Sequence, residues 1–389
     1  MKRTILYLNA ESGDRIHGAT LSGLRRYCVA RGWDAEIVPK KGLKPKRLAA
    51  LLAARHKVAG CVVENSDDEV RLPPRLFGDV PVVYLHPPPA LRAGGAAFVA
   101  ADNEAIARAA FRELSAGRPA AYAVIGVCPD YSWSHLRLQV FRALCESSGM
   151  TCHVFNRPGE KWPSFIGRLP SWLAALPRHC AVFAVNDFLA YYAVAAARAA
   201  RISIPHDLTL LGVDNNEAIC ETTVPTISSI QLDHERAGFL AAKLIGEKIS
   251  HRCGPETPCD GNAYTVGPLM AVRRKSTGGR GRHEKFVLEA IDMIRREACD
   301  GLTAEKLAAR FECSRWLFEM RFREATGHSV LNEIQHIRLE KVFTLLAQTD
   351  TAIGAISSFC GWKTDLALQK FFRSRTGMTM RDWRRLNRK

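Results

Sequence analysis

The segment Leu302-Thr303-Ala304-Glu305-Lys306-Leu307-Ala308-Ala309-Arg310-Phe311 runs through a short break at Glu312-Cys313-Ser314 into Arg315 to Ala325, and its pattern decides how the last third of the chain folds. Thr303 stands where a helix N-cap is wanted, and Leu307, Ala308 and Phe311 fall on one helical face. Ser314 is placed to cap a second helix whose Leu317, Phe318 and Phe322 point inward, leaving Arg315, Trp316, Glu319 and Arg323 outside. Two short helices around a tight break, the second with a basic and aromatic outer face, read as a helix-turn-helix.

The arrangement recurs about fifty residues later. Ala352 to Phe359 corresponds to the first helix, Gly361-Trp362 to the turn and Thr364 to Arg375 to the second helix. The end of that helix, Arg375-Thr376-Gly377-Met378-Thr379, echoes Ala325-Thr326-Gly327-His328-Ser329. A long helix, Val330 to Leu346, joins the copies. Such duplication points to one supersecondary unit used twice. Two reading helices held about 34 Å apart enter successive major grooves on one face of DNA. In the second copy Thr364, Asp365, Gln369, Lys370 and Arg373 are the candidate DNA-facing residues. The net charge of +16 suits a polyanionic partner, and the last twenty residues carry Lys370, Arg373, Arg375, Arg381, Arg384, Arg385, Arg388 and Lys389 against Asp382 alone, the composition of a phosphate-contacting tail. A helical bundle that merely solvates a basic face is the competing reading.

Upstream of Glu284 the pattern changes. Apolar runs at Thr4 to Asn9, Val58 to Glu64, Pro81 to Leu85, Ala121 to Gly126, Cys180 to Val185 and Leu208 to Val213 alternate with helical stretches at His17 to Arg31, Pro45 to Ala54, Asn103 to Ser115, Ser134 to Ser147, Pro163 to Ala175 and Phe188 to Ala200. Parallel strands covered on both faces are apolar throughout, so this alternation predicts α/β architecture in two Rossmann-like lobes. Arg236 to Ile249 reads as a further helix and Ala263 to Val272 as one short strand, with a Gly/Pro-rich stretch at Cys253 to Gly261 between them. Residues 1–272 are expected to form the two-lobed domain, 273–283, with five basic residues and three glycines in Arg273 to Arg282, a linker, and 284–389 an all-α domain opened by the stripe Phe286, Ala290, Ile291, Ile294.

Polar groups gather where the strands end: Asn9 through Arg15, Asp102-Asn103, Asn186-Asp187 and Asp214-Asn215-Asn216. Open α/β sheets bind ligands outside the carboxyl ends of their strands, so two lobes would share a cleft there. Asp187 is expected to cap the helix that begins at Phe188 rather than to touch a ligand.

Ile5-Leu6-Tyr7-Leu8 is far shorter than a signal segment or a membrane span, so a cytoplasmic protein with no membrane partner is expected. The twelve cysteines are scattered and several sit in apolar runs, as reduced core thiols do. Neither Cys152-His153 nor the Cys253 and Cys259 pair has the spacing of a metal site, and no metal or cofactor is expected. A nucleophile elbow and a P-loop are both absent from the sequence, which argues against an enzyme. A sugar-acting enzyme or an uptake protein is the alternative, with the helical domain as an interaction module.

Residues Phe286 to Arg385 resemble the DNA-binding domain of the AraC family of regulators, with Leu302 to Gly327 as one unit and Ile353 to Gly377, followed by Arg381-Asp382-Trp383-Arg384, as the other. Where that family commonly has an aromatic pair, this chain has Ala367-Leu368. Residues Lys2 to Arg274 resemble the lactose-repressor-type sensor, itself similar to periplasmic sugar-binding proteins. The match rests on Val182-Phe183-Ala184-Val185-Asn186-Asp187, on Ile204 to Asn215 and on Pro225-Thr226-Ile227-Ser228-Ser229-Ile230. With the first strand beginning almost at Met1, that family's N-terminal DNA-binding helices are not expected in this chain. The resemblance implies a regulator controlled by a small sugar, with D-xylose the sugar it points to. It further implies sugar contacts from Asp14, Arg15, Asp102, Arg137, Asn186 and Asp214, to which Trp133 adds an apolar cover, a homodimer on double-stranded DNA, and activation through RNA polymerase.

Overall fold

A computed structural model of the chain describes residues 3–9, 15–40, 42–54, 58–65, 72–127, 131–156, 159–250, 263–278, 284–326 and 328–387. The chain divides into two compact units, residues 1–279 and 280–389.

In the first unit the strands are β1 (Thr4–Asn9), β2 (Asp34–Pro39), β3 (Val58–Glu64), β4 (Val82–Leu85), β5 (Phe98–Ala101), β6 (Ala121–Ile125), β7 (Cys152–Phe155), β8 (Cys180–Ala184), β9 (Leu208–Val213), β10 (Ser228–Leu232), β11 (Ala263–Val266) and β12 (Pro268–Val272). They form two six-stranded sheets, ordered β11-β5-β4-β3-β1-β2 and β12-β10-β9-β8-β6-β7. Every pairing is parallel except that of β12 with β10. Helices α1 (Arg15–Ala30), α2 (Pro45–Ala54), α3 (Pro89–Ala93), α4 (Asn103–Ser115), α5 (Ser132–Ser147), α6 (Trp162–Ala174), α7 (Asp187–Ala199), α8 (Glu217–Cys220) and α9 (His234–Ser250) accompany the sheets. Strand interiors such as Ile5 to Leu8 and Cys180 to Ala184 are buried at every position, as expected of strands covered on both faces.

Four strands escaped the sequence reading: Asp34–Pro39, Phe98–Ala101, Cys152–Phe155 and Ser228–Leu232. The first and third pair on one side only, as outermost strands of their sheets, and their part-exposed, mixed residues (Asp34, Glu36, His153) lack the apolar run of a central strand. The single strand expected over Ala263 to Val272 is two. β11 pairs with β5 in the first sheet, and β12, beyond Gly267, pairs with β10 in the second.

That division marks one of three places where the chain passes between lobes. The others follow β5, where α4 packs on the second sheet, and β10, from which α9 returns to the first. Asp102 N donates to Val266 O at 2.9 Å, tying two crossings together.

Residues 273–277, expected as the start of the linker, are instead part of the second lobe. Arg273 forms a double hydrogen bond with Glu113 (Nε–Oε1 2.6 Å, Nη2–Oε2 3.0 Å), and buried Ser276 donates to Leu210 O at 2.6 Å. A basic, glycine-bearing composition suggested a free segment, but these polar side chains satisfy groups in α4, in β9 and at the start of β10. Residues 279–283 lie outside the described residues, as do those from Cys253 to Gly261.

The second unit contains α10 (Glu284–Glu297), α11 (Ala304–Arg310), α12 (Arg315–Thr326), α13 (Val330–Gln348), α14 (Ile356–Phe359), α15 (Asp365–Thr376) and α16 (Met380–Asn387). Each capping residue does what its side chain permits: Thr303, Ser314, Ser329 and Thr364 accept from the backbone of the turn they open. Among the described residues no helix is long and apolar enough to cross a membrane.

Candidate functional sites

The first site lies between the lobes, at the carboxyl ends of the strands. A cavity of about 180 Å³ is lined by Glu64, Asn65, His86, Pro87 and Arg92 from the first lobe and by Ser132, Trp133, Arg137, Asn186 and Asp214 from the second. Ala101, Asn103, Leu232 and His234, at the crossings, complete it.

Arg137 is the centre of this arrangement. Only 5% exposed, it donates from Nε to Asn103 Oδ1 at 2.9 Å and from Nη1 to Val185 O at 2.7 Å, while its guanidinium lies 5.0 Å from the Trp133 ring centroid. Burial lowers its pKa, and the charges of Asp214 and Asp187 oppose that shift. A guanidinium taken out of water needs such partners. It is therefore not the lobe-surface ion pair that an arginine in this helix might otherwise form.

The role expected of Asp187 belongs to its neighbour. Asn186 caps α7, accepting from Leu189 N at 2.9 Å. Asp187 is buried and accepts from Ser229 Oγ at 2.6 Å and Asn216 N at 2.7 Å. Burial, then the nearby charge of Asp214, raise its pKa to about 7 against the pull of those hydrogen bonds. Gly212 leaves it room, since a Cβ there would stand 2.2 Å from Asp187 Oδ1.

Of the expected sugar contacts, Trp133, Arg137, Asn186 and Asp214 meet in the cavity. Asp102 does not line it; its carboxylate caps α4, accepting from Ala105 N at 2.9 Å. Asp14 lies outside the described residues, and Arg15 opens α1 with its side chain likewise undescribed. The first-lobe wall was missed. Glu64, which accepts from Tyr7 Oη, and His86, whose Nδ1 accepts from Ala101 N at 3.3 Å, both sit at strand ends, the signal that found the second lobe. Burial lowers the His86 pKa, keeping the imidazole neutral.

The second site is the repeated helical pair. Residues fifty apart hold equivalent places: Ser314 and Thr364 are the caps, Phe318 and Leu368 are buried, as are Phe322 and Phe372, and Arg323 and Arg373 are exposed. The exits match as well. Thr326 Oγ1 donates to Phe322 O at 2.7 Å and to His328 O at 3.1 Å, and Thr376 Oγ1 donates to Phe372 O at 2.8 Å and to Met378 O at 3.2 Å. The turns differ by one residue. Cys313 alone separates Glu312 (φ 50°) from its cap, whereas Trp362 and Lys363 separate Gly361 (φ 72°) from Thr364.

On α12 the expected DNA-facing residues Arg315, Trp316, Glu319 and Arg323 line one shallow surface with Met320. Arg315 pairs with Glu305, and Arg323 Nη2 lies 3.5 Å from Glu319 Oε1; at such exposure these pairs are weak enough to exchange for phosphates. On α15, Gln369, Lys370 and Arg373 are exposed. Thr364 is occupied as the cap, and Asp365 accepts from Ser357 Oγ, locking α14 to α15. Asp365 is thus engaged within the fold, a role that outward placement on a helical wheel does not reveal. α13 spans about 28 Å at 1.5 Å per residue, and its Arg338 donates to Ala298 O and Leu302 O at 2.7 and 3.0 Å, holding the first copy.

Residues 109–277 match the periplasmic binding protein-like domain family and residues 307–386 a helix-turn-helix domain family. The chain is 27% identical over 297 residues to the xylose operon regulatory protein of Haemophilus influenzae, covering 74% of each. It is 27% identical over 296 residues to the protein of the same name from Escherichia coli (strain K12), covering 75% of this chain and 74% of that one. Among solved structures it is similar to a xylose-binding transcription activator, xylR, with a TM-score of 0.57 at 24% identity over 100% of both chains. It is also similar to the complex of the transcriptional regulator CelR with cellobiose, with a TM-score of 0.57 at 21% identity over 71% of this chain and 85% of that one. The full-length match shows a two-sheet α/β domain followed by a helical domain as one shared architecture.

Proposed function

We propose that this chain, in which a periplasmic binding protein-like domain precedes a helix-turn-helix domain, is a DNA-binding transcription regulator governed by a small neutral sugar in the cleft between its two sheets. The observation that carries this reading is the cavity around Arg137. Its lining balances Glu64 and Asp214 against Arg92 and Arg137, with a neutral His86. Such a set donates to and accepts from hydroxyls without favouring a charged ligand, and Trp133 offers an apolar face. D-xylose is the first candidate, supported by the names of the relatives. Asn186, Asp214 and Arg137 are assigned as direct contacts, with Asp14 and Arg15 completing the first-lobe side and Asp102 acting through the end of α4.

Sugar bound at the crossings closes the lobes, and this changes DNA affinity to the extent that the closed state binds sugar more tightly. The functional species is a cytoplasmic homodimer on two half-sites, activating through RNA polymerase. It carries out no catalysis.

The test is a melting screen of the full chain against pentoses, hexoses and disaccharides. A ligand at a hundredfold excess over its Kd stabilises by about 2.7 kcal/mol, and D-xylose is expected to give the largest shift. In parallel, duplex DNA binding should weaken steeply with salt. A cleft that no sugar stabilises, or a chain indifferent to DNA at low salt, defeats the reading.

A further inference from the structure

The outer face of α15 carries Leu366, Gln369, Lys370 and Arg373, opposite the buried Leu368 and Phe372. Leu366 is 61% exposed. Single exposed apolar residues are ordinary on protein surfaces, but the place of this one is not arbitrary. Its counterpart in the first copy, fifty residues earlier, is Trp316, 72% exposed, and each is the second residue of its helix. The N-terminal residues of the second helix in a helix-turn-helix reach base edges in the major groove. Lys370 and Arg373, one and two turns further along the same face, are set to hold phosphates, so the electrostatics of the face match a duplex rather than an apolar protein partner.

A leucine side chain has neither donor nor acceptor. Of the groups that base pairs display in the major groove, the one it can select is the C5-methyl of thymine. Ala367 beside it is exposed and small, leaving the helix free to approach closely. Resting on the regulator reading, we propose that α15 specifies its half-site through van der Waals contact between Leu366 and a thymine methyl group, with Lys370 and Arg373 supplying sequence-independent grip.

The full chain is used to select a binding site from a random duplex library, and each thymine of that site is then replaced singly by deoxyuridine. This removes one methyl and leaves every hydrogen-bonding group in place. At a thymine under Leu366 the Kd should rise about fourfold, the equivalent of about 0.8 kcal/mol for one buried methyl group. In Leu366→Ala, checked for an unchanged melting temperature, that same replacement should cost nothing, while deoxyuridine effects elsewhere persist. A flat deoxyuridine scan on a well-selected site, or an effect that survives intact in Leu366→Ala at every position, overturns the assignment alone. Failure to enrich any sequence overturns the regulator reading and this assignment with it.

Discussion

Arg137 Nε donates to Asn103 Oδ1 at 2.9 Å, so the most deeply buried cation of the cleft is bonded to the first residue of α4, just past the crossing from β5 into the second lobe. The proposed ligand contact and the crossing between lobes thereby share one side chain. Lysine keeps the charge but cannot reach Asn103 and Val185 O together from a planar fork. Arg137→Lys should abolish sugar-induced stabilisation while leaving a folded sensor. Arg137→Met leaves the buried Asn103 Oδ1 and Val185 O without their donor and should lose about 1–3 kcal/mol for each acceptor left unsatisfied. Melting curves with and without sugar check both, and wild-type sugar affinity in Arg137→Lys counts against that shared role.

A second prediction concerns pH. The Asp187 carboxyl is raised from 3.8 to about 7, so between about pH 4 and pH 7 the folded state holds a proton that the unfolded state has released. Stability contributed by this group therefore falls as pH rises through that window. Asp187→Asn keeps an acceptor for Asn216 N and turns its amide NH2 toward Ser229 Oγ, but cannot titrate. Its melting temperature should show a shallower decline than the wild type between pH 5 and 8, the sensor transition being followed separately. Parallel pH profiles would assign the proton elsewhere.

Much of this architecture was legible in the residues because buried parallel strands and capped helices leave local signatures. β1, β3 and β9 were read to the residue, and so were α2 and α4. What escaped depends on partners distant in sequence. Whether Ala263 to Val272 is one strand or two is decided by β5 and β10. Asp102 and Asp365 look like free polar groups along the chain, yet their partners, Ala105 N and Ser357 Oγ, exist only once the turns close. Glu64 and His86 sit at strand ends like the residues that were found, but they lie in runs whose apolar neighbours drew the reading toward core.

The two helical copies differ chemically at their exits, which yields a third prediction. His328 Nε2 lies 2.7 Å from Glu333 Oε2, and that hydrogen bond raises the His328 pKa above 6.5; its counterpart in the second copy is Met378, which does not titrate. Stability from this pair is present below about pH 6.5 and is lost as pH rises through the folded value. Arg295 and His336 also face Glu333, so His328→Gln should flatten rather than abolish the pH response of the helical domain. Hydrogen exchange at pH 6 and pH 8 should show loosening around α12 and the start of α13, with α15 and α16 unchanged. Equal loosening of both copies would contradict it.

The fourth prediction follows from how the two copies are held in register. Gly361, in the turn of the second copy, packs against Cys299 in the turn between α10 and the first copy, and a Cβ on Gly361 would stand 2.7 Å from Cys299 O. Its φ of 72° is also one that a side chain disfavours. Both effects act against Gly361→Ala, so the helical domain should lose at least about 1 kcal/mol. The larger consequence is geometric. Backbone cannot yield as a flexible side chain does, so relief must come from moving the second copy's turn away from the α10–α11 turn, which would disturb the proposed joint presentation of α12 and α15 to DNA. Binding to a duplex carrying the sequences proposed for both α12 and α15 of one chain should therefore weaken by at least tenfold, while binding to a duplex carrying only one of the two changes little. Cys299→Ala leaves that carbonyl in place and should not rescue the variant. A uniform loss on duplexes carrying one or both of these sequences would instead mean that Gly361→Ala unfolds the second copy and that its contact with Cys299 does not set the spacing.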